Sequence, residues 1–176
     1  MDALYAHYEL LSRWNSKINL TSIRSPEEIV VRHYCESLFF GTHLPDAPPG
    51  TAIADIGSGP GFPGVPMAVL SHDWHVSLVE SHQRKAVFLR ESTRGLTNVS
   101  VIAQRAEQVN QHFDWLVARA VTPKDILVLS AKLASRVGLL IGEADFQRVQ
   151  RESGLVWLEP VRVPWGDHRL CVFSST

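Results

Sequence analysis

Apolar positions at the start of the chain recur at helical spacing. Leu4, Tyr8 and Leu11 fall at i, i+4 and i+7, and Tyr5 widens the stripe. Residues 15–22 are polar and interrupt it. A second helix is expected from Ser25, which stands as the cap before Pro26, with Glu28 completing a capping box. Its pattern runs to about Phe40. Residues 44–50 carry Pro45, Pro48 and Pro49, so they read as a surface connector. It divides a helical front section, 1–45, from the main section, 46–176, on which that front section packs.

Past the connector the period changes. Short apolar runs at 51–56, 75–80, 99–103, 113–118 and 137–141 read as strands, and 63–70, 82–93 and 123–134 read as helices between them. Runs at 155–163 and 170–173 form a closing strand pair. This alternation predicts an α/β fold with a mostly parallel sheet covered on both faces. With no clear helix between the last two strands, one of them is expected to run antiparallel.

Composition narrows the class. The 176 residues are 45% hydrophobic and carry 17 basic against 18 acidic side chains, so a strongly basic nucleic-acid binder is excluded while a local basic patch is not. Two cysteines, Cys35 and Cys171, are too few for a disulfide framework or a structural zinc site. No run is long enough to span a bilayer, and no secretory leader is visible. A cytoplasmic location is the expectation. The eight histidines form no HxxxH or HExxH pattern, so no metal site is expected.

The chemistry centres on Asp55-Ile56-Gly57-Ser58-Gly59-Pro60-Gly61-Phe62-Pro63-Gly64, which follows the first strand and opens a helix. Gly59, Gly61 and Gly64 satisfy GxGxxG in the strand–loop–helix setting that motif requires. Glu80, ending the second strand, is placed to accept the hydroxyls of a ribose. Pro60 and Pro63 lack the amide donors that a pyrophosphate would use, which disfavours NAD. S-adenosylmethionine has no phosphate and needs none of those donors. Asp55 is suited either to its cationic end or to capping the loop. Arg119, inside an apolar run, needs a partner: a ligand or a structural ion pair. Arg84, Lys85, Arg90 and Arg94 make a basic helical face, read as solvated or as a phosphate-contacting patch. Trp14 and Asn15 suit either the core or an extruded base.

The loop resembles that of the bacterial 16S ribosomal RNA guanine-N7 methyltransferase family, also known as glucose-inhibited division protein B. Other segments resemble the family in the same order: Trp14-Asn15 with Asn19-Leu20-Thr21-Ser22, residues 33–38 with Glu36 where Asp is usual, Leu78-Val79-Glu80-Ser81, Arg84-Lys85, Phe88-Leu89, Arg105-Ala106-Glu107, Ala118-Arg119-Ala120 and His168-Arg169-Leu170.

The resemblance implies a Rossmann-like class I methyltransferase sheet and S-adenosylmethionine as cofactor. Gly57 and Phe62 would contact it through the loop, Ala106 and Glu107 would flank the adenine, and Arg119 would lie at the methionine or substrate end. With Asp55, Gly59 and Glu80 these make the expected cofactor site. The implied partner is 16S ribosomal RNA or the small ribosomal subunit. Guanine N7 carries a free lone pair, so no catalytic acid or base is assigned; rate would come from alignment. Two departures stand out: Ile141-Gly142 where the family usually has Lys-Gly, and a front section lacking most of one helix. They leave open a cofactor- or RNA-binding module without methyl transfer, or a methyltransferase of another substrate.

Overall fold

The computed structural model describes residues 2–175. Helix α1 (Asp2–Ile18) opens the chain. It extends through Asn15, past the expected break, because Asn15 is buried and its Oδ1 accepts the Thr21 amide at 2.9 Å, closing the turn that follows. Ser25 caps α2 (Pro26–Ile29) as expected, accepting the Glu28 amide at 3.4 Å. Its hydroxyl donates to Glu27, however, rather than engaging Glu28 in a reciprocal box. The helix continues through a π-helical segment, Val30–Cys35, into α3 (Glu36–Thr42).

The main section contributes β1 (Ala52–Ile56), α4 (Gly64–Leu70), β2 (His75–Val79), α5 (Gln83–Ser92), β3 (Val99–Ile102), a 3-10 turn (Ala106–Gln108), β4 (Phe113–Arg119), α6 (Pro123–Leu133), β5 (Ala134–Gly142), α7 (Glu143–Glu152), β6 (Val161–Arg162) and β7 (Arg169–Phe173). The sheet order is β3-β2-β1-β4-β5-β7-β6. Strands β1 to β5 pair in parallel, while β7 runs antiparallel to β5 and to β6. The order reverses between β1 and β4. Such a switch point opens a crevice at the carboxyl ends of the strands.

Two cores flank the sheet. On one face the front helices bury Leu11, Ile29, Tyr34 and Phe40 in the same cluster as Ile53, Val65, Leu78 and Trp115. On the other, α6 and α7 bury Ile126, Leu133, Phe146 and Val149 against Ala54, Leu116, Leu139 and Val172. Ile141, at the position of the family's lysine, lies in this second core.

Two expectations are corrected. Helix α7 was not anticipated: its buried stripe is only Phe146 and Val149 in an otherwise polar segment, too narrow to announce a helix. The strand expected at 155–163 contracts to Val161–Arg162 and a single bridge between Trp157 and Ser174. Pro160 and Pro164 withhold ladder donors on either side.

Candidate cofactor site

β1 feeds directly into the glycine loop, which is tied to the neighbouring strand. The amides of Gly57 and Ser58 both donate to the Val79 carbonyl, at 2.9 and 3.1 Å. Gly57 and Gly59 have φ of +67° and +55°, a region open to glycine and strained for other residues. A Cβ on Gly57 would sit 2.9 Å from Val121, whereas one on Gly59 would meet nothing closer than the Gly57 carbonyl at 3.8 Å. The space over Gly59 is therefore open to a ligand.

Glu80 sits just past β2 and is buried, and its carboxylate closes the loop from the side. Oε2 accepts the Gly59 amide at 2.9 Å and Oε1 accepts the His82 amide at 2.7 Å. Two of its roughly four lone-pair positions remain for other donors.

Asp55 resolves toward the second of its two readings. It is fully buried beneath the loop, and Oδ2 accepts the Gly64 amide at 3.0 Å. Burial pushes its carboxyl up to about 7, against the lowering effect of that hydrogen bond. A Cβ on Gly64 would collide with this carboxylate at 2.7 Å, so Gly64 serves packing.

Phe62 is buried in the core cluster that the loop shares with the front helices. Its ring is stacked on His33, with centroids 4.7 Å apart, and meets His7 and Tyr34 edge-on.

Beside the loop lies a cleft of about 170 Å3. Ile56, Val79, Val121 and Leu129 give it apolar walls, and Gly57, Ala106 and Glu107 also line it. Ser81, Gln104 and Asp125 also line it and were not anticipated. Ser81 and Gln104 lie two residues past the ends of β2 and β3, and Asp125 lies in the first turn of α6; the rule that ligands gather at carboxyl strand ends was the signal available.

Arg119 ends β4 and pairs with Glu36 of α3 at 3.2 Å, both side chains buried. Burial lowers the Arg119 guanidinium to about 10, with Glu36 opposing, so it stays charged at neutral pH. Burial raises the Glu36 carboxyl, with Arg119 opposing. Nη1 of Arg119 has no hydrogen-bond partner among the described residues. The next residue, Ala120, is held at φ +55°, a strained conformation for alanine.

A contact invisible in the sequence joins the front section to the loop. His7 of α1 is completely buried; its Nε2 donates to the Pro60 carbonyl at 2.9 Å, and its Nδ1 lies 2.6 Å from the Tyr34 hydroxyl. With Nε2–H committed to a carbonyl, Nδ1 accepts from the tyrosine. Desolvation lowers His7 to about 4, so the ring is neutral in this chain of hydrogen bonds. Trp14 packs edge-on against Phe88. Among the described residues no cluster of three or more His, Cys, Asp and Glu is placed to hold a metal, and no helix is long and apolar enough to cross a membrane.

Solved structures share this architecture. Magnesium protoporphyrin IX methyltransferase from Synechocystis, solved with bound S-adenosylmethionine, superposes with TM-score 0.68 at 12% identity, over 97% of either chain. Aeropyrum pernix fibrillarin, also with natively bound S-adenosyl-L-methionine, gives 0.63 at 15% identity, over 80% of this chain and 73% of that one. The fold is thus the Rossmann-like sheet of class I S-adenosylmethionine methyltransferases.

The family model for rRNA small subunit methyltransferase G matches residues 1–141, and the chain belongs to that family. The ribosomal RNA small subunit methyltransferase G of Xylella fastidiosa is 42% identical over 98% of this chain and 81% of its own length. That of Dichelobacter nodosus is 36% identical over 98% and 84%, and that of Nitrosomonas europaea 43% identical over 66% and 55%. The chain spans little more than half the length of the Nitrosomonas relative.

Proposed function

We propose that this protein transfers a methyl group from S-adenosylmethionine to N7 of a guanine in 16S ribosomal RNA. The observation that carries the reading is the family match over residues 1–141, which include the loop, Glu80 and the cleft. The site fits the cofactor. The cleft is smaller than the roughly 300–1,000 Å3 of pockets that enclose a whole drug-sized ligand, so it suits one flat moiety such as adenine. Ala106 and Glu107 flank that ring between the apolar walls. The free lone pairs of Glu80 take the ribose hydroxyls, and the positive-φ glycines Gly57 and Gly59 let the backbone approach. Asp55 and Phe62 serve from beneath, by holding the loop's shape. Arg119 stands at the methionine and substrate end.

S-adenosylmethionine, when bound, supplies an electrophilic methyl carbon. The chain's task is to align a guanine N7 lone pair with it in a site shielded from water, and no side chain has to remove a proton. A ribosomal RNA substrate supports a cytoplasmic location, which is part of this proposal. The test is methyl transfer from radiolabelled S-adenosylmethionine to small subunits lacking this modification. One labelled guanine per 16S RNA, cleavable as N7-methylguanine, is expected. Label in protein, or cofactor binding with no transfer, would overturn the reading.

A further inference from the structure

A second and larger pocket, about 570 Å3, opens at the same edge of the sheet on the other side of β4. Its walls come from three parts of the chain: Arg32 in the π-helical segment, Gly142 and Glu143 where β5 passes into α7, and Asp167, His168 and Arg169 in the turn that enters β7. Because β4 and β5 are parallel, their carboxyl ends lie on one side. The pocket is therefore next to Arg119 on the flank away from the adenine cleft.

Its charges are unevenly used. Glu143 is already balanced, with Arg162 at 3.2 Å and His168 at 3.5 Å. Glu36 is held by Arg119. Neither Arg32 nor Arg169 makes an ion pair or a side-chain hydrogen bond among the described residues. Both act on the Glu36–Arg119 pair, favouring the carboxylate and opposing the guanidinium. Arg32 and Arg169 thus open onto the pocket beside this pair, and Arg119 still has a buried donor without a partner. Asp167 is the one acid of the pocket without an ion pair among the described residues.

We propose that Arg32 and Arg169 clamp a backbone phosphodiester of the RNA substrate, so that the attached nucleotide reaches across β4 toward the cofactor's methyl group. This rests on the function proposed above. A guanidinium presents a planar fork of donors that fits phosphate oxygens, and two such forks facing one pocket fix the strand's position. The clamp carries no base information itself; it sets the register in which a base is offered.

The experiment uses the full chain and three probes. Transcribed small-subunit RNA is titrated at several salt concentrations, inorganic phosphate is titrated as competitor, and S-adenosylmethionine binding is followed by calorimetry. For Arg32→Gln/Arg169→Gln together, RNA affinity is expected to fall tenfold to a hundredfold. The slope of log affinity against log salt should drop by about 0.7, the loss of one phosphate contact on a single strand. Cofactor affinity and ligand-free melting should stay unchanged. Arg32→Gln alone, at an exposed position, should show a smaller loss in the same direction and covers the case in which the double variant folds poorly. Arg32→Lys/Arg169→Lys should keep most of the salt slope while losing affinity. Inorganic phosphate should compete only weakly, since a free ion lacks the strand's other contacts; equal competition by phosphate would overturn the assignment to RNA. An unchanged slope and affinity in the variants, with wild type binding RNA, would overturn the clamp alone. A wild type that binds the cofactor but no RNA would overturn the proposed function and the clamp with it.

Discussion

The two halves of the sheet's carboxyl edge are built on opposite plans. On the β1–β3 side nearly every polar group of the glycine loop is occupied: Val79 takes two amides, Glu80 takes two, Asp55 takes Gly64, and His7 reaches in to take Pro60 as acceptor. The loop is pre-formed, and the ligand meets a finished backbone. On the β4–β7 side the charged groups are under-used. Arg119 and Glu36 share one contact, Nη1 of Arg119 is buried without a partner among the described residues, and Arg32 and Arg169 face an open pocket. A site for a small, invariant cofactor tolerates full satisfaction in advance. The other, which on the function proposed above receives part of a large polyanion, keeps donors in reserve.

The largest test of this contrast is Glu36→Ala. It leaves Arg119 charged and buried with no counter-ion, which costs about 3–5 kcal/mol. Urea unfolding should show the loss, and a shift below about 1 kcal/mol would mean the pair behaves as a surface ion pair.

Second is His7→Gln, read through pH. The folded His7 value of about 4 lies below the ordinary 6.5, so between those values the unfolded chain binds more protons. Its contribution is present above pH 6.5 and is lost as pH falls toward 4, about 3 kcal/mol in all. Asp55 acts in the opposite sense: its raised value gives stability that is lost as pH rises from about 4 through about 7. The glutamine variant should therefore lose less stability than wild type between pH 6.5 and 4. It should also bind S-adenosylmethionine more weakly, because the loop loses its tie to α1. Identical pH profiles would remove His7 from the buried hydrogen-bond chain.

Third, Glu80→Ala should lower cofactor affinity tenfold or more. Because Gly59 and His82 both lose an acceptor, it should also cost about 2 kcal/mol of ligand-free stability. Glu80→Gln keeps an acceptor and should fall between. Unchanged melting would separate Glu80 from the loop's architecture. The smallest stability change is expected for Gly59→Ala, about 1 kcal/mol from the left-handed φ. The methyl group has room in the folded chain, so the main effect should be on calorimetric cofactor binding.

The order of strands and helices was legible from 51 to 142 because a parallel strand buried on both faces is a short apolar run between turn signals, and β1 and β4 are buried along almost their whole length. The loop and Glu80 were legible for a related reason: strand, glycine turn and helix are consecutive, so residues close in sequence are close in space. Gly57, Ala106 and Glu107 do line the cleft. Local pattern was least informative where an element owes its form to packing. Helix α7 has two buried residues to declare it, and the strand foreseen at 155–163 was mostly withdrawn by prolines and by what β7 had left to pair.

Local sequence, then, determined the α/β alternation, the backbone freedom of the loop and the presence of an acid at the end of β2, because each depends on neighbours a few residues apart. Tertiary structure alone decided which way the side chains of Asp55 and Phe62 turn, that His7 reaches Pro60, and that Arg119 meets Glu36 rather than solvent. Those partners are distant in the chain, and a buried polar group takes whichever donor or acceptor the folded core brings within reach, since leaving it unpaired costs more than any local preference.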